Sequence, residues 1–203
     1  MIIRNDMEAS YVRVFHASPD APAVDIYVNG SLVFQNLSFK SFSAYVQLPM
    51  GKYKVTVYPA NQNTNPVLTQ TIEVPQEEVI TVAAAGNLEN LQLVPYIEED
   101  ANDLEENESK LRFIHLSPGA PGIDIIIDGN LFFEDVAFLD STDYKEIQSK
   151  THNVSINVAN TQDSVLAFPL TLKSQKVYTV YIVGDLSNIS TVQSLDGSTF
   201  VRF

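Results

Sequence analysis

An all-β chain made of two tandem β-sandwich domains is what the sequence predicts. Three observations predict it: a long internal repeat, short runs of β-branched and aromatic residues at regular spacing, and hairpin-turn dipeptides between those runs. The repeat organises the rest. His16, Ser18, Pro19, Ala21, Pro22, Asp25, Ile26 and Gly30 are matched by His115, Ser117, Pro118, Ala120, Pro121, Asp124, Ile125 and Gly129, each 99 residues later. The same offset pairs Arg13 with Arg112, Phe34 with Phe133, Phe39 with Phe138 and Tyr45 with Tyr144. A shift of one residue then pairs Thr81 with Thr179 and Gly86 with Gly184.

Taken along the chain, residues 11–16 form a first strand-like run that ends at His16. Residues 25–28 and 31–34 flank Asn29-Gly30, a dipeptide that readily takes φ > 0 at both positions, as a type I′ hairpin turn requires; Asp128-Gly129 repeats it. Residues 43–48 read as a fourth strand. Between 52 and 58, Tyr53, Val55 and Val57 alternate with Lys52, Lys54 and Thr56, which gives one core face and one solvent face; His152, Val154, Ile156 and Val158 repeat the pattern. Strands over 69–74, 79–85 and 91–96 complete the copy, and a count near eight suits a sandwich. Val79–Ala85 and Val177–Val183 are apolar without alternation, which predicts a central strand covered on both faces.

The resulting division is 1–97 for the first copy, 98–110 for a linker and 111–203 for the second. The linker, Glu98 to Lys110, holds seven carboxylates and one cation and is expected to be solvated, so that the two domains sit on a flexible tether.

The formal charge of −13 disfavours phosphate backbones and anionic lipid surfaces, so no nucleic acid and no membrane insertion are expected. There is no cysteine, and hence no disulfide framework, thiolate nucleophile or Cys-ligated zinc. The opening residues turn charged after Met1, Ile2 and Ile3, and no run reaches the length of a membrane-spanning helix. The default expectation is a cytoplasmic protein, with the cell surface or a spore layer as alternatives.

The repeated motif, the Asn/Asp-Gly hairpin and the later Leu48, Pro49, Gly51, Tyr53 and Val55 resemble the DUF4397 family, a bacterial and archaeal domain of unknown function. Both copies resemble it, although Gln148, Ser149, Lys150 and Thr151 replace the Pro-x-Gly turn in the second, and Gly119 replaces Asp20. The resemblance implies an immunoglobulin-like or transthyretin-like sandwich, often found in multi-domain surface proteins, and brings no agreed activity.

His16, Ser18 and Asp25, with their twins His115, Ser117 and Asp124, contain the residue types of a hydrolytic triad. Each serine precedes proline in a turn, however, and no Gly-x-Ser-x-Gly elbow is present. These six residues are therefore expected to satisfy the polar groups of their own loops. Three histidines spread over two copies supply too few nitrogens for zinc, and the acidic stretch lacks the spacing of a calcium loop, so neither metal nor cofactor is expected. Tyr27, Tyr58, Tyr178 and Tyr181 are candidates for surface contacts with a sugar or protein. Phe200, Val201, Arg202 and Phe203 repeat the opening of each copy and are expected to add a strand to a sheet edge, within the chain or on a neighbour.

The leading expectation is thus a non-enzymatic binding or scaffolding protein whose partner is a protein or a surface polymer. A structural component of a bacterial envelope or spore layer, self-associating through sheet edges, is the alternative, and a hydrolase using the His/Ser/Asp loop comes third.

Overall fold

A computed structural model describes residues 9–102 and 104–201. In the first repeat the strands are β1 (Ala9–His16), β2 (Val24–Val28), β3 (Ser31–Leu37), β4 (Val46–Pro49), β5 (Gly51–Pro59), β6 (Leu68–Val74), β7 (Val79–Ala85) and β8 (Gln92–Ile97). The second repeat follows with β9 (Glu108–His115), β10 (Ile123–Ile127), β11 (Asn130–Val136), β12 (Lys145–Gln148), β13 (Thr151–Val158), β14 (Ser164–Thr171), β15 (Val177–Val183) and β16 (Ser190–Leu195). The sheets run β4-β1-β7-β8 and β3-β2-β5-β6 in the first repeat, β12-β9-β15-β16 and β11-β10-β13-β14 in the second. The fold is therefore all-β, two sandwiches in tandem. Pairing is antiparallel except between β1 and β7 and between β9 and β15.

Local chemistry explains the turns. Asn29 and Gly30 have φ of 49° and 85°, and Asp128 and Gly129 have 50° and 81°, the doubly left-handed geometry of a type I′ hairpin.

Each sandwich core is built from alternate residues. Val12, Val14, Ile80 and Val82 of one sheet meet Val24, Ile26, Val55 and Val57 of the other in the first repeat. Leu111, Phe113, Val180 and Ile182 meet Ile123, Ile125, Val154 and Ile156 in the second.

The other face of β1, β7, β9 and β15 is also buried, because the two sandwiches pack on each other. Phe15, Ala17, Ala83, Ala85 and Tyr96 from the first form one cluster with Ile114, Leu116, Tyr181 and Val183 from the second. All seven residues of β7 and all seven of β15 are buried, which accounts for their lack of alternation: one face lies in its own sandwich and the other against the sister repeat. The sheets thus stack in four layers, and three expectations change. The repeats share a core rather than swinging on a tether. Tyr178 and Tyr181 are buried, at 7% and 0% exposure, because β15 has no solvent face. Finally, the stretch from Glu98 to Lys110 is only partly solvated: Glu98 and Leu104 are buried, and Glu108 to Lys110 already belong to β9.

The described part of the tail, up to Val201, forms no strand within the chain. Gly197–Thr199 form a single 3-10 turn, Phe200 and Val201 follow it outside any strand, and both donate their N–H to the Gly197 carbonyl. Thr199 Oγ1 accepts from Val177 N at 3.0 Å, and Gly197 N donates to Tyr45 Oη at 3.0 Å, which ties the turn to the junction. A Cβ at Gly197 would lie 2.5 Å from the Tyr45 ring, so only glycine allows this approach. Arg202 and Phe203 lie outside the described residues.

Candidate functional site

The two polar loops begin where β1 and β9 end. His16 is buried, its Nδ1 accepts from Ser18 N at 3.3 Å, and its Nε2 lies 3.0 Å from the Pro22 carbonyl. An acceptor role at Nδ1 leaves the proton on Nε2, so the ring is neutral and fully engaged. His115 repeats this with Ser117 N at 3.3 Å and the Pro121 carbonyl at 3.2 Å. Burial lowers both imidazole pKa values, and the proline carbonyls oppose that shift.

The aspartates do different work. Asp25 Oδ1 accepts from Asn36 N at 2.7 Å and Oδ2 from Asn61 N at 2.9 Å; Asp124 accepts likewise from Asp135 N at 2.8 Å and Asn160 N at 3.0 Å. All four donors have left-handed backbones, with φ between 47° and 63°. Each carboxylate therefore pins a bulge at the end of one neighbouring strand and the turn after another.

The serines complete the separation. Ser18 Oγ donates to Asp20 Oδ1 at 3.3 Å, whereas Ser117, which faces Gly119 where the first copy has Asp20, donates instead to the Gly184 carbonyl at 2.7 Å. Imidazole, hydroxyl and carboxylate thus have separate partners in both copies, and neither set is arranged as a relay.

Replacing His16 by Ala should therefore lower the unfolding free energy by about 1–3 kcal/mol, the cost of orphaning the Ser18 N–H and the Pro22 carbonyl. Urea unfolding checks it; an unchanged midpoint would show that the loop does not depend on the ring.

The remaining histidine, His152, bonds through Nδ1 to Asp128 Oδ2 at 2.9 Å and through Nε2 to the Gln148 carbonyl at 2.8 Å. Among the described residues, no group of three or more His, Asp or Glu is placed to hold a metal ion, and no helix is long and apolar enough to cross a membrane.

Sequence reasoning missed a second polar constellation, buried at the junction of the repeats. Arg13 donates from Nε to Thr81 Oγ1 at 2.7 Å and from Nη2 to Glu98 Oε1 at 3.2 Å and Ser194 Oγ at 2.9 Å. Tyr45 and Thr81 also donate to Glu98 Oε1, at 2.7 and 2.6 Å. In the second repeat Tyr144 and Thr179 donate to Asp196 Oδ2 at 2.6 and 2.7 Å, and Arg112 Nε donates to Thr179 Oγ1 at 2.9 Å. Each repeat thus supplies the same Arg, Thr, Tyr and acid. The one-residue shift that pairs Thr81 with Thr179 also pairs Glu98 with Asp196. That signal was in the sequence, but it was hidden by assigning Glu98 to a solvated linker.

What stays open to solvent is the outer face of each outer sheet. On β3-β2-β5-β6 it carries Tyr27 and Tyr58, half-buried, with ring centroids 5.2 Å apart at 76°. Thr56 pairs with Thr69 and Lys54 with Thr71 beside them. The second repeat has Ile126 and Asn157 at the equivalent positions.

The family model described as "Domain of unknown function (DUF4397)" matches residues 10–125 and 109–200. No curated protein matches the chain. Among solved structures, the Bacillus anthracis TIE protein is 12% identical with a TM-score of 0.29, over 88% of this chain and 34% of that one, so this chain spans about a third of its length. CBMbc (family CBM26) from Eubacterium rectale Amy13K, solved with maltoheptaose, is 10% identical with a TM-score of 0.28, over 93% of this chain and 99% of that one. A streptococcal virulence factor described by its alpha-glucan binding is 10% identical with a TM-score of 0.29, over 96% of this chain and 100% of that one. Likenesses at this level carry no functional weight.

Proposed function

The chain belongs to the DUF4397 family, a domain of unknown function, and from that footing we propose that it is a non-enzymatic binding module whose contact surface is the outer face of β3-β2-β5-β6. The observation that carries this reading is the Tyr27–Tyr58 pair, two half-buried aromatic rings on a sheet face flanked by threonine hydroxyls. Aromatic area with hydroxyl neighbours suits a hydroxyl-rich surface polymer, because ring faces cover C–H surface while the hydroxyls exchange hydrogen bonds, and Lys52, Lys54 and Glu73 on the same face supply further polar contacts. Engagement of the His, Ser and Asp groups by separate structural partners supports a non-catalytic role.

Co-sedimentation with a panel of neutral and charged polysaccharides tests the proposal. Tyr27→Ala with Tyr58→Ala should weaken binding at least tenfold, on the order of 1.4 kcal/mol, whereas Ile126→Ala should leave it unchanged. Binding that survives the double substitution removes the Tyr face from the reading.

A second reading, assembly into a layer through sheet edges, draws on Leu32 and Leu131. These twin residues, on the edge strands β3 and β11, are 46% and 57% exposed. Light scattering that grows with concentration would favour it; a monomer throughout would count against it.

A further inference from the structure

The buried junction contains two arginines and two carboxyl groups, which are expensive to bury as ions, and they are not equivalently compensated. Glu98 holds a hydrogen-bonded ion pair with Arg13 at 3.2 Å. Its counterpart Asp196 is one methylene shorter. Asp196 Oδ1 lies 3.7 Å from Arg13 Nη2, beyond hydrogen-bond range, and Arg112 donates its Nη1 to the Ile97 carbonyl at 2.6 Å instead. Asp196 is wholly buried, and it faces Arg13 from β1, Arg112 from β9, Thr179 and Tyr181 from β15, Tyr144 ahead of β12, and Glu98 after β8. Two carboxylates share this enclosure, and only Glu98 is hydrogen-bonded to a cation.

We propose that the junction between the two sandwiches is a proton-sensitive joint, in which Asp196 takes up the proton and the packing of the repeats is tightest when it holds it. The geometry selects Asp196 over Glu98, because a neutral acid needs no cation while Tyr144 and Thr179 continue to hold its Oδ2. Burial, and then the nearby Glu98 charge, push the Asp196 carboxyl from its ordinary 3.8 to about 7, although Arg112 opposes the shift. Between those two pH values the folded chain binds a proton that the unfolded chain does not. The stabilising contribution of this group is therefore complete below pH 3.8 and is lost as pH rises through about 7. His16 and His115 act in the opposite sense: their lowered pKa values make the folded state prefer the neutral ring, so their contribution is lost on acidification. The informative quantity is therefore a difference between variants rather than the raw pH profile.

The test uses the full-length chain labelled at the aspartate carboxyl carbons, with the Asp196 resonance followed by NMR from pH 4 to 9 and melting recorded for wild type and Asp196→Asn. The expected midpoint for Asp196 is near neutrality. The two proteins should melt most nearly alike at pH 4, and wild type should fall progressively below the variant as pH rises, by several degrees at pH 8. Glu98→Gln, which removes the adjacent negative charge, should move the Asp196 midpoint downward. A midpoint in the ordinary carboxylate range, or a melting difference that is the same at pH 4 and pH 8, overturns the proposal. The wild-type titration decides the matter even if a variant fails to fold.

Discussion

Arg13→Met should destabilise the chain by about 3–5 kcal/mol, the cost of removing one partner from a buried ion pair and leaving the other charge without its cation. Arg13 is 6% exposed, and its guanidinium bridges Thr81 and Glu98 to Ser194 of the other repeat and stacks over the rings of Phe42 at 4.3 Å and Tyr45 at 4.8 Å. Methionine refills most of the volume, so the loss would report charge and hydrogen bonding rather than a void. Combining it with Glu98→Gln should recover part of the loss, since the orphaned carboxylate is then gone; denaturant unfolding of the four proteins gives the coupling directly. Arg112→Met should cost less, because Arg112 bonds to Thr179 and a carbonyl and lacks a paired acid as close as Glu98 is to Arg13. A loss below about 1 kcal/mol for Arg13→Met would show that the charges are solvated in solution.

Tyr181→Ala should cost a similar amount, about 3–5 kcal/mol, for a different reason: the ring is wholly buried, and its removal opens a cavity between the sandwiches. It lies 4.6 Å from Phe15 and 5.5 Å from Phe42 of the first repeat. The loss would fall on the shared cluster and leave both sandwich cores intact. Calorimetry should therefore resolve two transitions where the parent shows one. Tyr181→Phe should stay near the parent, since it keeps the packing and removes only a hydroxyl that burial, then the Asp196 charge, pushes up to about 12. A single transition for Tyr181→Ala would mean that the repeats are coupled chiefly through the Arg13 network.

Much of the fold was legible because each element carried its own local signal. The Asn29-Gly30 and Asp128-Gly129 turns declared their backbone angles, the alternation around Val55 declared a face, and the repeat allowed each reading to be made twice. The unbroken apolar character of β7 and β15 predicted cover on both faces, though nothing local could say that the second cover would be the other repeat. The errors arose where contacts come from residues distant in sequence. Charge was read as exposure, so Glu98 joined the solvated stretch, yet a carboxylate can be buried once Arg13, Thr81 and Tyr45 surround it, and all three lie far from it in sequence. The Tyr181 side chain was misplaced because what buries it belongs to the other half of the chain.

The back-to-back stacking of the sheets also fixes where the two free faces point. With sheets about 10 Å apart, the outermost surfaces lie on opposite sides of the molecule, separated by roughly 30 Å. A molecule so arranged cannot lay both faces on one flat target, as a tweezer would. It is shaped instead as a rivet, with unlike heads: tyrosines on one end and Ile126 with Asn157 on the other.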